Sequence, residues 1–413
     1  MKVTVFAMPT VPATVEERIA LRPIGRNPER YQAMVEELRT LAKLADEHGI
    51  TAFGTTEHHF HTEGGEGNPN PLLMFSHLAG LTKDITFIPL SIVLSAEDPL
   101  RVAENVALFD HLYPGRVAVG FARGYQKRWI QVLTQGRGAA AWEQEDSGDA
   151  RNRAIFNDHL NVVLKAWDND VFDYDGVHYQ VPFPHDEGVR GWAAPDWTRR
   201  YGAEGEIDDE GVIRKIGTVP PMFTKKRPEM FMPFGISQET LRTAVEHDMT
   251  LMLAEGRPQA FADLCSVYRD ECAKLGKPRR LGAKIAAVRS MALGDTTEEA
   301  FDIATRTMGY EWQQYFSLFG GFTEAFRTDA DDPDKPVLFA DEAACTRRLM
   351  EVRHGLVGTP DEVKFQLDEL HKIHGDGELE WFVWNFFSQG IMPPDVWKKQ
   401  LELFVEKVWP AFQ

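Results

Sequence analysis

The chain has 413 residues, 43% hydrophobic and 26% charged, enough for one large domain with insertions or for two ordinary ones. Its 63 Asp and Glu outweigh 45 Lys and Arg, a formal charge of −18 that argues against nucleic acid and membrane surfaces as partners. Cys265, Cys272 and Cys345 are too few for a disulfide framework, and the opening residues lack a signal peptide's apolar core. A soluble protein in a reducing, cytoplasmic setting is expected.

The first expected strand is residues 3–7. A helix follows, with Tyr31, Met34, Val35, Leu38, Leu41, Leu44 and Ala45 at helical spacing and Gly49 as its stop. Residues 52–55 read as a second strand. Residues 85–94 form a near-continuous apolar run, as a parallel strand covered on both faces requires. A helix over 99–112 and a strand over 117–122 come next. The second half repeats the alternation, with strands at 229–234, 250–254, 283–293 and 381–386. Helices are expected at 152–167, 237–247, 258–275, 296–319 and 395–408.

Eight strands alternating with helices favour an α/β fold, a (β/α)8 TIM barrel, with an open doubly wound sheet as the competitor. One barrel domain over 1–413 is expected, with two long insertions at about 168–228 and 320–358. Such insertions serve as lids or binding loops, or are plain surface excursions. Trp192, Trp197, Tyr201 and Phe223 in the first could line an aromatic-friendly pocket or pack the insertion down.

Three places carry residues suited to chemistry. Glu57-His58-His59-Phe60-His61 lies just beyond the second strand, at the end where barrels keep their active sites. An imidazole there suits general-base work, while neighbours in an extended segment point apart and make a shared metal ion awkward. A catalytic histidine, a metal site and structural histidines all stay open on chemistry alone. Gly120-Phe121-Ala122-Arg123-Gly124 after the fourth strand offers a tight turn and a cation suited to phosphate, or merely a loop charge. Ser237 and Thr240, opening the helix after the fifth strand, suit an anion or an ordinary helix cap.

In order and spacing, these residues resemble the bacterial luciferase-like flavin-dependent monooxygenase family, most of all the luciferase alpha subunit. The resemblance is carried by Thr56-Glu57-His58-His59-Phe60 and Gly67-Asn68-Pro69. It continues through Ile92-Val93-Leu94, Asp98-Pro99-Leu100-Arg101, Glu104 to Asp110, Gly115-Arg116, Gly120 to Gly124 and Val357-Gly358-Thr359-Pro360. It implies reduced FMN, supplied by a separate flavin reductase, that reacts with dioxygen to give a C4a-hydroperoxide and oxygenates a small organic substrate. It implies His58 as the catalytic imidazole and Glu57, His59, Leu90 and Ser91 along the flavin. Arg123, Gly124, Ser237 and Thr240 would hold the phosphate, with no metal. It also implies a homodimer, a mobile lid at 320–358 and a non-prolyl cis peptide at Leu90-Ser91. Leu90, Ala122 and Ile236 depart from the luciferase pattern and count against light emission and a long-chain aldehyde substrate. The alternatives are a coenzyme F420-dependent oxidoreductase on the same fold, a non-catalytic partner subunit and, further off, a metal hydrolase built on the histidines.

Overall fold

The computed structural model describes residues 1–141, 147–233, 237–372, 378–386 and 391–413. Its strands, in chain order, are β1 (Lys2–Ala7), β2 (Ala52–Thr55), β3 (Thr86–Pro89), β4 (Ile92–Val93), β5 (Val119–Ala122) and β6 (Tyr174–Asp175). They continue with β7 (Gln180–Val181), β8 (Met230–Met232), β9 (Thr250–Leu253), β10 (Ile285–Leu293), β11 (Gly355–Gly358) and β12 (Trp381–Phe386). All eight expected strand positions are strands. By internal contacts the chain forms two compact units. One is Met1–Pro71, His77–Leu90 and Met230–Gln413; the other is Leu72–Ser76 and Ser91–Glu229.

In the first unit the strands run parallel in the order β3-β2-β1-β12-β10-β9-β8. β11 pairs with the C-terminal half of β10 from Ser290 to Leu293. All of β2, β10 and β12 is buried, as strands covered on both faces are. Phe6 is in register with Gly54 and Asn385, and Ser290 with Asn385, so these positions share one face of the sheet. The helix Pro28–Glu47 starts on an Asn27 side-chain cap with Pro28 in its first turn, and buries Met34, Val35, Leu38, Leu41, Ala42 and Ala45. Its Asp46 accepts the backbone N–H groups of Lys83, Asp84 and Ile85 and so fixes where β3 begins.

The second unit holds the parallel pair β4–β5 and the antiparallel pair β6–β7. Its helix Gly148–Asp168 buries Asn152, Ile155, Phe156, His159, Leu160, Val162, Val163, Leu164 and Ala166, and Asn152 donates to the Arg123 and Ala139 carbonyls. The first insertion contains β6, β7 and the helix Pro195–Tyr201. Trp192, Trp197, Tyr201 and Phe223, read as pocket lining or as packing for the insertion, stand exposed on the surface.

Several expectations change. The strand read over 85–94 is two strands, broken at Leu90-Ser91. Leu90 still donates its N–H to Thr55 O at 2.8 Å. The cis bonds among the described residues are Arg22-Pro23, Val181-Pro182, Phe183-Pro184 and Val219-Pro220; Leu90-Ser91 is not among them. Trans is the low-energy state of a non-prolyl bond, and the Leu90 side chain occupies the space left open by Gly54, where an added Cβ would lie 2.7 Å from Leu90 Cδ1. The helix read over 296–319 is interrupted by a π turn at Thr305–Gly309. The second insertion holds the helix Glu342–Glu351 and β11, so part of it is regular structure. Helices at Val15–Ala20, Pro71–Ala79 and Lys127–Thr134 fall where none was expected.

Candidate active site

Beyond β2 the chain enters a loop held to the segment after β1. Val11 donates to Gly64 O at 2.6 Å, Gly67 to Pro9 O at 2.7 Å, and His58 to Asn68 O at 3.0 Å. Phe60 and Glu66 adopt φ of 64° and 48°, left-handed settings that side chains other than glycine take at a cost. This backbone sorts the imidazoles between two carboxylates. Glu57, 3% exposed, lies 3.1 Å from His59 Nε2. Glu66, 4% exposed, faces His58 Nε2 at 3.4 Å and His61 Nδ1 at 3.7 Å, and accepts from the Tyr315 hydroxyl at 2.8 Å. His58 and His59 thus address different partners, as neighbours in extended chain should. Burial pushes His58 down to about 3, against the pull of the Glu57 charge and with a push from His59. At neutral pH it is an uncharged imidazole.

Around this loop are buried polar atoms that find no protein partner: Thr55 Oγ1, Thr56 Oγ1 and Asn68 Nδ2. On the sheet face shared with Phe6, Ser290 Oγ and Asn385 Oδ1 are in the same condition. Each costs about 1–3 kcal/mol if left unmet, so the region suits a ligand with a polar edge. A cavity of about 500 Å³ opens beside the loop, walled by Met8, Ile24, His61, Glu66, Glu311 and Tyr315 among others. That volume fits a small organic molecule. Glu311 is raised to about 7 by burial and then by the Glu66 charge, with Arg18 opposing.

In the second unit, Arg123 pairs with Asp149 at 2.9 Å, and its carbonyl accepts from Ser95 Oγ at 2.6 Å. Gly124 follows at φ 71°, and a Cβ there would lie 2.5 Å from Val93 Cγ1 and 2.8 Å from Ile130 Cδ1. Glycine is required on both counts. Ser237 caps the helix Gln238–Glu246: its Oγ accepts the Thr240 N–H at 3.1 Å and lies 2.7 Å from Thr240 Oγ1. The ordinary cap is therefore formed. Gly235 and Ile236, also read from the sequence, lie outside the described residues.

A family model described as luciferase-like monooxygenase matches residues 1–377. The chain belongs to that family. It is 22% identical over 383 residues to 3,6-diketocamphane 1,6-monooxygenase of Pseudomonas putida, covering 89% of this chain and 90% of that one. Among solved structures, the oxygenating constituent of 3,6-diketocamphane monooxygenase from the same organism, in complex with FMN, superposes with a TM-score of 0.71. The identity is 20%, over 100% of this chain and 99% of the other. An F420-dependent secondary alcohol dehydrogenase superposes at 0.59, with 12% identity over 97% of this chain and 98% of its own. At these identities the structures show the fold, an α/β barrel of the (β/α)8 class.

For a luciferase-like chain, the expected residues group by unit. Glu57, His58 and His59 come together with Glu66 in one loop. Leu90 is buried against Gly54, and Ser91 is buried in the other unit. Arg123 is joined to Asp149, a partner the sequence reading missed although Asp149 stands in the first turn of a helix. Glu66, Glu311 and Tyr315 were also missed. Tyr315 is 249 positions from Glu66, and only the fold brings them together.

Proposed function

We propose that this chain is a flavin-dependent monooxygenase in which reduced FMN and dioxygen oxygenate a small organic molecule. The observation that carries the reading is the buried His58, which faces the Glu66 carboxylate and lines a cavity of about 310 Å³ beside unmet polar atoms, in a luciferase-like chain. Bound reduced FMN supplies the electrons that activate dioxygen, one oxygen atom passing to substrate and the other leaving as water. The chain's own work is to bind, to exclude water and to hold a proton acceptor in place. His58 does the last through its imidazole, while Glu57 and His59 stiffen the loop, and Leu90 and Ser91 border the ring. Arg123 with Gly124, and the Ser237–Thr240 turn, are each assigned to the phosphate by their own chemistry. The similarity to diketocamphane monooxygenase makes cyclic ketones the substrates to try first. A separate reductase, a homodimer and a cover formed by the irregular part of 320–358 belong to the same proposal. No described helix is long and apolar enough to cross a membrane.

The test is addition of photoreduced FMN to the protein in air, with cyclic ketones as substrates. Faster flavin oxidation coupled to oxygenated product is expected. The likeness to the F420-dependent dehydrogenase supplies the second reading. Anaerobic hydride transfer with F420, and indifference to reduced FMN, would decide for it.

A further inference from the structure

The helix carrying Glu311 is out of step with the one before it. Thr297–Ala304 is α-helical, Thr305–Gly309 is a π turn, and Tyr310–Gln314 winds as α again. A π turn takes up an extra residue, so the residues after it face where a continuous α-helix would not send them. Such turns are frequent at functional sites. Gly309 ends the turn where a Cβ would meet Thr346 Oγ1 at 2.3 Å and Glu342 O at 2.6 Å, so the close crossing needs glycine. Tyr310, Glu311, Gln314 and Tyr315, directly after it, all line the 500 Å³ cavity. Across the cavity Glu66 is presented from its left-handed backbone, a strain of order 1–3 kcal/mol that the fold holds in place. Two departures from regular backbone thus bring two carboxyl groups to one chamber.

We infer that Glu66 and Glu311 work as a carboxyl pair, Glu66 orienting His58, His61 and Tyr315 while Glu311 offers a protonated carboxyl to the hydrogen-bond acceptor of an uncharged substrate. Glu66 is a positioning residue: its oxygens already face both imidazoles and receive the Tyr315 hydroxyl. Glu311 carries a different task because its wall is crowded with charge. Arg18 and Arg22 face the cavity from the segment after β1, and His61, Glu63 and Glu66 from the loop after β2. Tyr310 and Tyr315 lie on its own helical segment, and Glu342 bonds Gln314 from the next helix. With Glu311 protonated, Arg18 and Arg22 balance Glu63 and Glu66 among the described lining residues. Met8, Ile19, Pro23, Ile24 and Ile391 supply the apolar wall. Burial and the Glu66 charge keep the Glu311 proton in place up to about pH 7. This assignment rests on reading the cavity as the substrate site of the proposed monooxygenase.

The experiment uses the full chain labelled with 13C at glutamate carboxyls, titrated by NMR from pH 5 to 9 without flavin. One carboxyl titrating near 7 is expected, absent in E311Q and moved to lower pH in E66Q, where the neighbouring charge is gone. If E66Q does not fold, Tyr315→Phe, which removes the hydroxyl that partly neutralises the Glu66 charge, should shift the same midpoint upward. The same proteins are then given photoreduced FMN in air. E66Q should slow flavin oxidation about tenfold or more at equal FMN binding, and E66D should recover part of the loss. In E311Q the pH step in that rate should vanish. No glutamate titrating between pH 6 and 8, or a midpoint that ignores both E66Q and Y315F, would overturn the pair. Should the wild type leave reduced FMN untouched, the flavin reading fails, while the NMR titration still decides whether the carboxyls are coupled.

Discussion

His58 and His354 are both deeply buried imidazoles pushed down to about 3, in each case chiefly by burial. Their surroundings share little else. His354 Nδ1 lies 3.0 Å from the Ala254 carbonyl, and its ring packs against Trp312 at 5.4 Å and Phe326 at 4.8 Å. The charge of the buried Arg289 adds to the push on it. His58 instead faces the carboxylate of Glu66 in a strained loop. A depressed pKa alone therefore does not mark a site. What separates the two is what stands around the ring: aromatic packing and a buried guanidinium in one case, a buried carboxylate and a cavity in the other.

The largest expected effect divides them. His58→Ala should lose turnover by about 100-fold or more while the protein still binds FMN, since a positioned acid or base contributes on that scale. Turnover of photoreduced FMN with substrate, set beside FMN binding, checks it, and unchanged turnover would remove His58 from the mechanism. His354→Ala should do the reverse. It opens a hole against Trp312 and Phe326 and should cost roughly 2–4 kcal/mol of stability, as other buried large-to-small changes do. Turnover per folded molecule should hold, and a denaturant melt beside an activity assay separates the two outcomes.

Acid sharpens the same comparison. Each imidazole has a folded pKa near 3 against an ordinary value of 6.5. Between those values the unfolded chain binds more protons, so stability is full above about 6.5 and falls as pH drops toward 3. Removing His354 should flatten that slope, measured as the urea midpoint from pH 7 to pH 4. A slope unchanged in the His354 variant would show that it never stays neutral in the fold.

How much of this was legible in the sequence depends on the range of the interaction. The strands were readable because strands covered on both faces are mostly apolar, even where buried Arg289, Ser290 and Asn385 interrupt β10 and β12. The interrupted helix was not, because the π turn at Thr305–Gly309 is set by the crossing of Gly309 with Thr346 and Glu342, contacts with no local signature. β11 was hidden for a similar reason: Gly355–Gly358 is short, and its strand character comes from pairing with β10. The histidine segment announced itself by composition, whereas Glu66 looked like one more charge in a glycine-rich loop. Only the fold shows that its carboxylate is the one His58 faces. Likewise Arg123 reads as a lone cation until Asp149 is found beside it.

The smallest expected effect tests whether Ser237 is a ligand or a cap, the same division of roles that separates His58 from His354. Its Oγ already accepts the Thr240 N–H and sits 2.7 Å from the Thr240 hydroxyl, so a structural task is accounted for. Ser237→Ala should then cost about 1 kcal/mol of stability, the usual worth of a helix cap. Ser237→Asp keeps a capping oxygen but adds a negative charge at the helix start. If the turn also holds a phosphate, Ser237→Asp should preserve stability and weaken FMN binding, because the new carboxylate repels the phosphate from the same N–H groups. Calorimetry of FMN binding on the two variants decides it. Equal affinity in wild type and Ser237→Asp would leave Ser237 a cap and nothing more, and would return the phosphate to Arg123 alone.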